Sequence, residues 1–89
     1  MKLPFIETSL GNNQYLREFV ADSNRDVIEE WHRDREDRIV EVVENTDWLL
    51  QMDNELPQLL EGKYYISKES YHRVITGTGK LVVKLTKLI

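Results

Sequence analysis

Short runs of apolar and β-branched residues alternate with turn residues along the whole chain. The turn residues are groups of Gly, Asn, Asp and Ser, which tolerate positive φ or bond to their own backbone. They occur at Gly11-Asn12-Asn13, Asp22-Ser23-Asn24, Asn45-Thr46-Asp47, Asp53-Asn54, Glu61-Gly62 and Gly77-Thr78-Gly79. The runs between them predict strands at Tyr15–Val20, Val27–Trp31, Arg38–Glu44, Trp48–Met52, Tyr64–Ile66, His72–Ile75 and Leu81–Leu85. Many short strands at this spacing are typical of an all-β sandwich or barrel.

Two of these runs also indicate which side chains share a face, because alternate side chains of a strand point to opposite faces. In the run from Arg38 to Glu44, the pattern places Val40 and Val42 on one face. In the last run, Leu81, Val83 and Leu85 share one face, and Val82, Lys84 and Thr86 share the other. The nearly continuous β-branched run from Arg38 to Glu44 suits a buried strand.

The segment from Asp22 to Arg38 has a second interpretation. Its charged residues would form i,i+4 pairs on a helix, and Val27, Ile28 and Trp31 would form the apolar face of that helix. The sequence therefore leaves open whether this segment is a strand followed by a charged stretch or a helix.

Length and charge predict one domain over residues 1–89, with no preference for nucleic acid. A chain of this size buries roughly 60–65% of its unfolded surface, so we expect a homodimer, which would add buried area. The net charge is −4, with 16 acidic against 12 basic residues. No basic stripe with interleaved aromatic residues is present, which argues against nucleic-acid binding.

The chain contains no cysteine, which excludes disulfides, thiolate catalysis and Cys-ligated metal sites. The first six residues lack the apolar run of a signal peptide. No segment approaches the roughly 20 apolar residues of a membrane span. We therefore expect a cytoplasmic protein without a membrane partner.

Two segments resemble the conserved motifs of the cupin family. The run WHRDREDRIVEVVEN, from Trp31 to Asn45, is similar to the first cupin motif, H-x-H-x-x-x-E followed by a strand. In this alignment His32 falls on the first His, Asp34 on the second His and Arg38 on the Glu. The run GKYYISKESYHRV, from Gly62 to Val74, is similar to the second motif, and His72 falls on its His.

The resemblance to small single-domain cupins implies a double-stranded β-helix, or jelly-roll barrel, with these residues in its lumen. His32, Asp34 and His72 are then the expected ligands of a divalent metal. Two imidazoles and one carboxylate suit Fe(II), and less selectively Mn(II), Ni(II) or Zn(II). The implied function is a small cupin-like protein that binds a metal, a small molecule or both, and whether it is an enzyme stays open.

Arg38 leaves alternatives to a metal site. It stands where the family has a Glu ligand, and a cation there would repel a bound metal. Arg38 would instead bind the carboxylate or phosphate of a ligand, or pair with Asp34 or Glu36 in a metal-free, salt-bridged lumen. Such a lumen would belong to a non-enzymatic binding module or to a purely structural protein. We also predict that Trp48 and Tyr65 contact a ligand, although Trp48 has a core interpretation too.

Overall fold

The computed structural model of the protein describes residues 5–20 and 25–89, and these residues form β-strands with a single helical turn. The strands and the turn, in chain order, are β1 Phe5–Gly11, β2 Gln14–Val20, α1 Arg25–Ile28, β3 Asp37–Val42, β4 Leu49–Met52, β5 Gln58–Leu59, β6 Lys63–Ile66, β7 His72–Ile75 and β8 Lys80–Leu88.

The strands form two antiparallel sheets. One sheet has five strands in the order β1-β2-β8-β3-β6, and the other has three in the order β5-β4-β7. The prediction of an all-β fold is therefore confirmed. The prediction of a closed barrel is wrong for the described residues, because no strand pairing joins the edges of the two sheets.

Some of the strand pairs are nested along the chain, whereas β3 with β8 and β4 with β7 cross that nesting. β2 pairs with β8, and β3 pairs with both β8 and β6. The innermost pair is β4 with β5. Between these levels, an isolated bridge joins His32 to His72 at the start of β7. The chain therefore resembles one long antiparallel ribbon, folded so that successive parts of it belong to different sheets.

The core lies between the sheets and follows the predicted alternation. Leu81, Val83 and Leu85 of β8 are buried, and Val40 and Val42 of β3 pack against the core. The buried hydrophobic residues that form this core are Ile28, Trp48, Leu50, Leu60, Ile66, Leu81 and Val83. The inner face of β8 is thus central, since β8 lies between β2 and β3.

Several predicted turns adopt the left-handed backbone that their residues favour. Gly11, Asn12 and Asn13 have φ of 81°, 53° and 62°, and they join β1 to β2. Asn54 and Gly62 also have positive φ, at 62° and 75°. These residue types adopt the left-handed region at little cost, which explains the turn positions. The predicted turn at 22–24 lies outside the described residues.

The segment before β3 differs from the predicted strand at Val27–Trp31. Its described part begins with the helical turn α1, so within residues 25–38 the helix interpretation holds only for that turn. After it, His32 donates and accepts backbone hydrogen bonds with His72, and these bonds replace the helical ones.

The strands β1 and β5 were not predicted. No helix among the described residues has the length and apolar character needed to cross a membrane.

Candidate metal centre and adjoining cavity

His32 and His72 are brought together by their backbones. The amide nitrogen of His32 lies 3.0 Å from the His72 carbonyl oxygen, and the reverse bond measures 2.9 Å. Residues paired directly across an antiparallel bridge project their side chains to the same side. The two imidazole rings accordingly lie 4.4 Å apart between centroids, tilted by 58°.

Asp34 lies beside both rings. Its Oδ2 is 3.4 Å from His72 Nε2, and its Oδ1 is 3.6 Å from His32 Nε2. The side chains of Asp34 and His72 are 9% and 6% exposed, whereas that of His32 is 46% exposed. One ligand atom from each of the three residues lies within 4.8 Å of the others. We call these three residues the His–Asp group.

The other nitrogen of each ring is held by a backbone carbonyl. His32 Nδ1 lies 3.0 Å from the Glu30 oxygen, and His72 Nδ1 lies 2.9 Å from the Ser70 oxygen. A carbonyl oxygen only accepts hydrogen bonds, so each Nδ1 carries the proton in these contacts. In a neutral imidazole, this leaves the lone pair on Nε2, which is the nitrogen that approaches Asp34.

Arg38 joins the group from β3. Its Nη1 is 3.3 Å from Asp34 Oδ1, while its Nε and Nη2 donate to Glu36 Oε1 at 3.1 and 2.8 Å. Burial by itself would raise the pKa of Asp34. A hydrogen bond from His72, which requires a proton on its Nε2, and the positive charge of Arg38 outweigh that effect and hold this pKa below its ordinary value. Asp34 is therefore a carboxylate, the form that binds a cation.

The three residues of the His–Asp group line a cavity whose wall contains residues of both sheets. The cavity has a volume of about 170 Å³. Its lining is mostly apolar, and the residues that form it are Phe5, Arg17, Phe19, Val27, Ile28, His32, Asp34, Arg38, Val40, Leu50, Leu60, Tyr64, Ile66, His72, Val74, Leu81, Val83 and Leu85. A few polar groups in an apolar concavity are typical of small-molecule sites.

Two predicted ligand contacts do not lie in this cavity. Trp48 is completely buried in the core, where its Nε1 donates to the Gly79 carbonyl at 2.9 Å. Tyr65 is 63% exposed on the opposite face of the sheet, because it pairs with Ile39 while Tyr64 and Ile66 face inward. The predicted ligand-binding roles of Trp48 and Tyr65 therefore need correction, whereas Arg38 does line the cavity.

Arg17 and Tyr64 line the cavity but were not predicted as site residues. Arg17 lies on the same face of β2 as Tyr15 and Phe19, since alternate residues share a face. Across the sheet, Arg17 pairs with Val83 and Phe19 with Leu81, both of which belong to the core. The sequence signal that could have identified Arg17 is its position between Tyr15 and Phe19, two aromatic residues on the same face of the strand.

No protein-family model matches this sequence, and no curated protein matches it. Among solved structures, the chain is similar to the crystal structure of protein NMB1881 from Neisseria meningitidis. The TM-score is 0.61 at 15% sequence identity, and the match covers 96% of this chain and 82% of that one. At this identity the similarity shows a shared fold, and the chemistry of the site has to be argued from its own residues.

Proposed function

We propose that this chain is a small cupin-like protein that binds a divalent metal through His32, Asp34 and His72, beside a cavity for a small molecule. The observation that carries the proposal is the convergence of the two Nε2 atoms on the Asp34 carboxylate. Because each Nδ1 donates to a carbonyl, neutral imidazoles would direct two lone pairs towards an anion. Such an arrangement is favourable when a cation lies among the three groups.

The chemistry of the donor set agrees with this proposal. Neutral imidazole and carboxylate are the ligands of Fe(II), Mn(II), Ni(II) and Zn(II) sites that keep open positions. The Nδ1 contacts to Glu30 and Ser70 are the outer-shell hydrogen bonds that metal-binding histidines usually make. When bound, such a metal would act as a Lewis acid towards a ligand in the adjoining cavity. The chain's own residues orient the two rings and keep Asp34 ionised.

The strand arrangement supports a jelly-roll relationship. A jelly roll consists of two antiparallel sheets with Greek-key connections, and cupins belong to this architecture. The nested pairs described above, from β2 with β8 to β4 with β5, are the pairing expected of a ribbon wound in this way. His32 and His72 belong to one level of that ribbon, which explains how residues 40 positions apart reach the same point.

A second candidate function is a metal-free binding module with a salt-bridged lumen. It is favoured by the contact of 3.3 Å between Arg38 Nη1 and Asp34 Oδ1, because the carboxylate already has a cationic partner there. In this case protonated histidines would donate from Nε2 to Asp34, and no metal would be required.

Metal content separates the two functions. The protein is purified without a His-tag, stripped with chelator, and loaded separately with Fe(II), Mn(II), Ni(II) and Zn(II), and bound metal per chain is then measured. We expect about one metal per chain for wild type and for Asp53→Asn, an exposed control carboxylate. We expect none for Asp34→Asn, which keeps the shape of the side chain, and less for His32→Ala. A wild type that retains none of the four metals would refute the proposal.

Imidazole nitrogen chemical shifts from NMR distinguish the candidates independently. In metal-free protein at neutral pH, neutral rings protonated at Nδ1 support the metal site. Doubly protonated rings support the salt-bridged lumen.

A further inference from the structure

The cavity contains a second arginine that lies away from the His–Asp group. Arg17 pairs with Val83 of β8, and Val83 pairs with Val42 on the far side of β8. Val42 is four residues along β3 from Arg38, a distance of about 13 Å. Arg17 and Arg38 therefore line the same cavity from different regions of the sheet.

The guanidinium of Arg17 is oriented but only partly engaged. Its Nε donates to Glu7 Oε2, and its Cζ lies 4.3 Å from the centre of the Phe5 ring. Its side chain is 17% exposed. Among residues 5–20 and 25–89, no group accepts a hydrogen bond from its Nη1 or Nη2. Two terminal donors of a nearly buried guanidinium are thus left for an acceptor.

Arg38 is less suited to bind a ligand. Its Nε and Nη2 share Glu36 Oε1, and its Nη1 faces Asp34. Each of its three nitrogens therefore already has a carboxylate neighbour. The predicted role of Arg38 as the anchor for an anionic ligand is better met by Arg17, whose one carboxylate partner in the described part of the chain is Glu7.

The size and lining of the cavity also limit the part of the ligand that does not contact Arg17. A cavity of about 150 Å³ lined by apolar side chains holds benzene, and this one has about 170 Å³. The wall beside Arg17 includes Phe5, Phe19 and Val83. An apolar body of one ring, or a branched aliphatic group of similar size, fits this space.

We propose that the cavity binds a small apolar monocarboxylate, with its carboxylate on Nη1 and Nη2 of Arg17 and its apolar body against the wall of Phe19 and Val83. The planar fork of arginine pairs with a carboxylate through two parallel hydrogen bonds. Glu7 holds the guanidinium by the remaining Nε edge and so orients the fork. The proposal deepens the cavity-binding part of the proposed function and does not depend on a bound metal.

Benzoate and its neutral analogue benzamide test the role of the charge. Their dissociation constants are measured by calorimetry or by NMR titration, on chelator-treated protein and again on metal-loaded protein. We expect wild type to bind benzoate at least roughly tenfold more tightly than benzamide. We expect Arg17→Gln to lose this preference. The control Arg33→Gln, an exposed arginine on the ring of Tyr71, should keep it.

Arg17→Lys provides a second test should Arg17→Gln fold poorly, as judged by circular dichroism. It keeps the charge but not the fork, and we expect an intermediate preference. Equal binding of the two probes to wild type, no binding of either, or loss of the preference in Arg38→Gln instead of Arg17→Gln would each overturn the assignment. If wild type retained none of the four metals but still preferred benzoate, the metal site would be refuted and this inference would stand.

Discussion

His32 and His72 face each other across one pair of backbone hydrogen bonds, with their rings 4.4 Å apart and Asp34 beside both Nε2 atoms. The segment of His32 and the strand β7 are joined at this level by that bridge, and a few residues away Thr76 donates hydrogen bonds to Glu29. A cation held by the three side chains would therefore also fasten the two segments together. Metal binding and stability are expected to be linked for this reason.

Added metal should stabilise the folded protein. A ligand that binds only the native state, at 100 times its dissociation constant, contributes about 2.7 kcal/mol. For a domain of this size that corresponds to a rise in melting temperature of roughly 10–20 °C. Thermal denaturation with and without Zn(II) or Mn(II) measures this rise in melting temperature. Asp34→Asn should abolish the rise and Asp53→Asn should preserve it, so an equal rise in both variants would contradict the site.

Replacing Arg38 by Gln should strengthen metal binding. The guanidinium lies 3.3 Å from the carboxylate that would bind the metal, and two cations near one carboxylate repel each other. We expect the metal affinity to rise roughly tenfold at low salt. Competition with a fluorescent chelator gives the affinity, and Arg33→Gln is the control. A fall in affinity would instead show that Arg38 is needed to position Asp34.

Gly77 should tolerate no side chain. A Cβ at this position would lie 2.6 Å from Asp47 Cγ and 2.8 Å from Trp48 Cδ1, and the Trp48 ring is fixed in the core. We expect Gly77→Ala to lower the free energy of unfolding by about 1–3 kcal/mol. Urea denaturation measures this change. Gly79→Ala is a matched control, since its Cβ would meet nothing within 4 Å.

Glu29 should stabilise the protein in a pH-dependent way. Its pKa is lowered from 4.5, first by the side-chain hydrogen bond from Thr76, next by the backbone hydrogen bond from Thr76, with smaller contributions from Arg25 and Arg73. A carboxyl group with a lowered pKa stabilises the fold above its unfolded pKa, and this contribution is lost as the pH falls through the folded value.

Glu29→Gln should accordingly be less stable than wild type at pH 7. We expect the difference to shrink as the pH falls below about 4.5. Urea denaturation at several pH values measures it, with the exposed neighbour in Glu30→Gln as the control. A difference that stayed constant from pH 7 to pH 3 would mean that the ionised form of Glu29 has no part in the effect.

The sequence predicted those parts of the fold in which local pattern and burial agree. The alternation of Leu81, Val83 and Leu85 has one strongly apolar face, and that face is buried. The turn at Gly11-Asn12-Asn13 was predictable because these residues adopt positive φ readily. Strand β1 was not, because its side chains are exposed or half-buried and leave no clear alternation.

The residues of the candidate site were predictable only where the pattern within a short stretch of sequence indicates them. The spacing of His32 and Asp34, together with the position of His72, indicated the His–Asp group. Tyr65 was assigned to the wrong face because only its pairing with Ile39 decides which residues of β6 point inward. Trp48 lies in the core, where its indole donates a hydrogen bond to the carbonyl of Gly79. This partner is 31 residues away along the chain, so the local pattern did not indicate it.

The nesting of the strand pairs sets a constraint on how the chain folds. Among the nested pairs, that of Leu50 with Gln58 closes the shortest loop, whereas that of Val20 with Lys80 closes a loop that contains the pairs of β3 with β6 and of β4 with β5. The entropy lost on closing a loop grows with its length, and a loop whose interior is already ordered is effectively shorter. We therefore expect the chain to order from β4 and β5 outwards, with the first and last strands joining late. His32 would then reach its position in the His–Asp group only after His72 is in place.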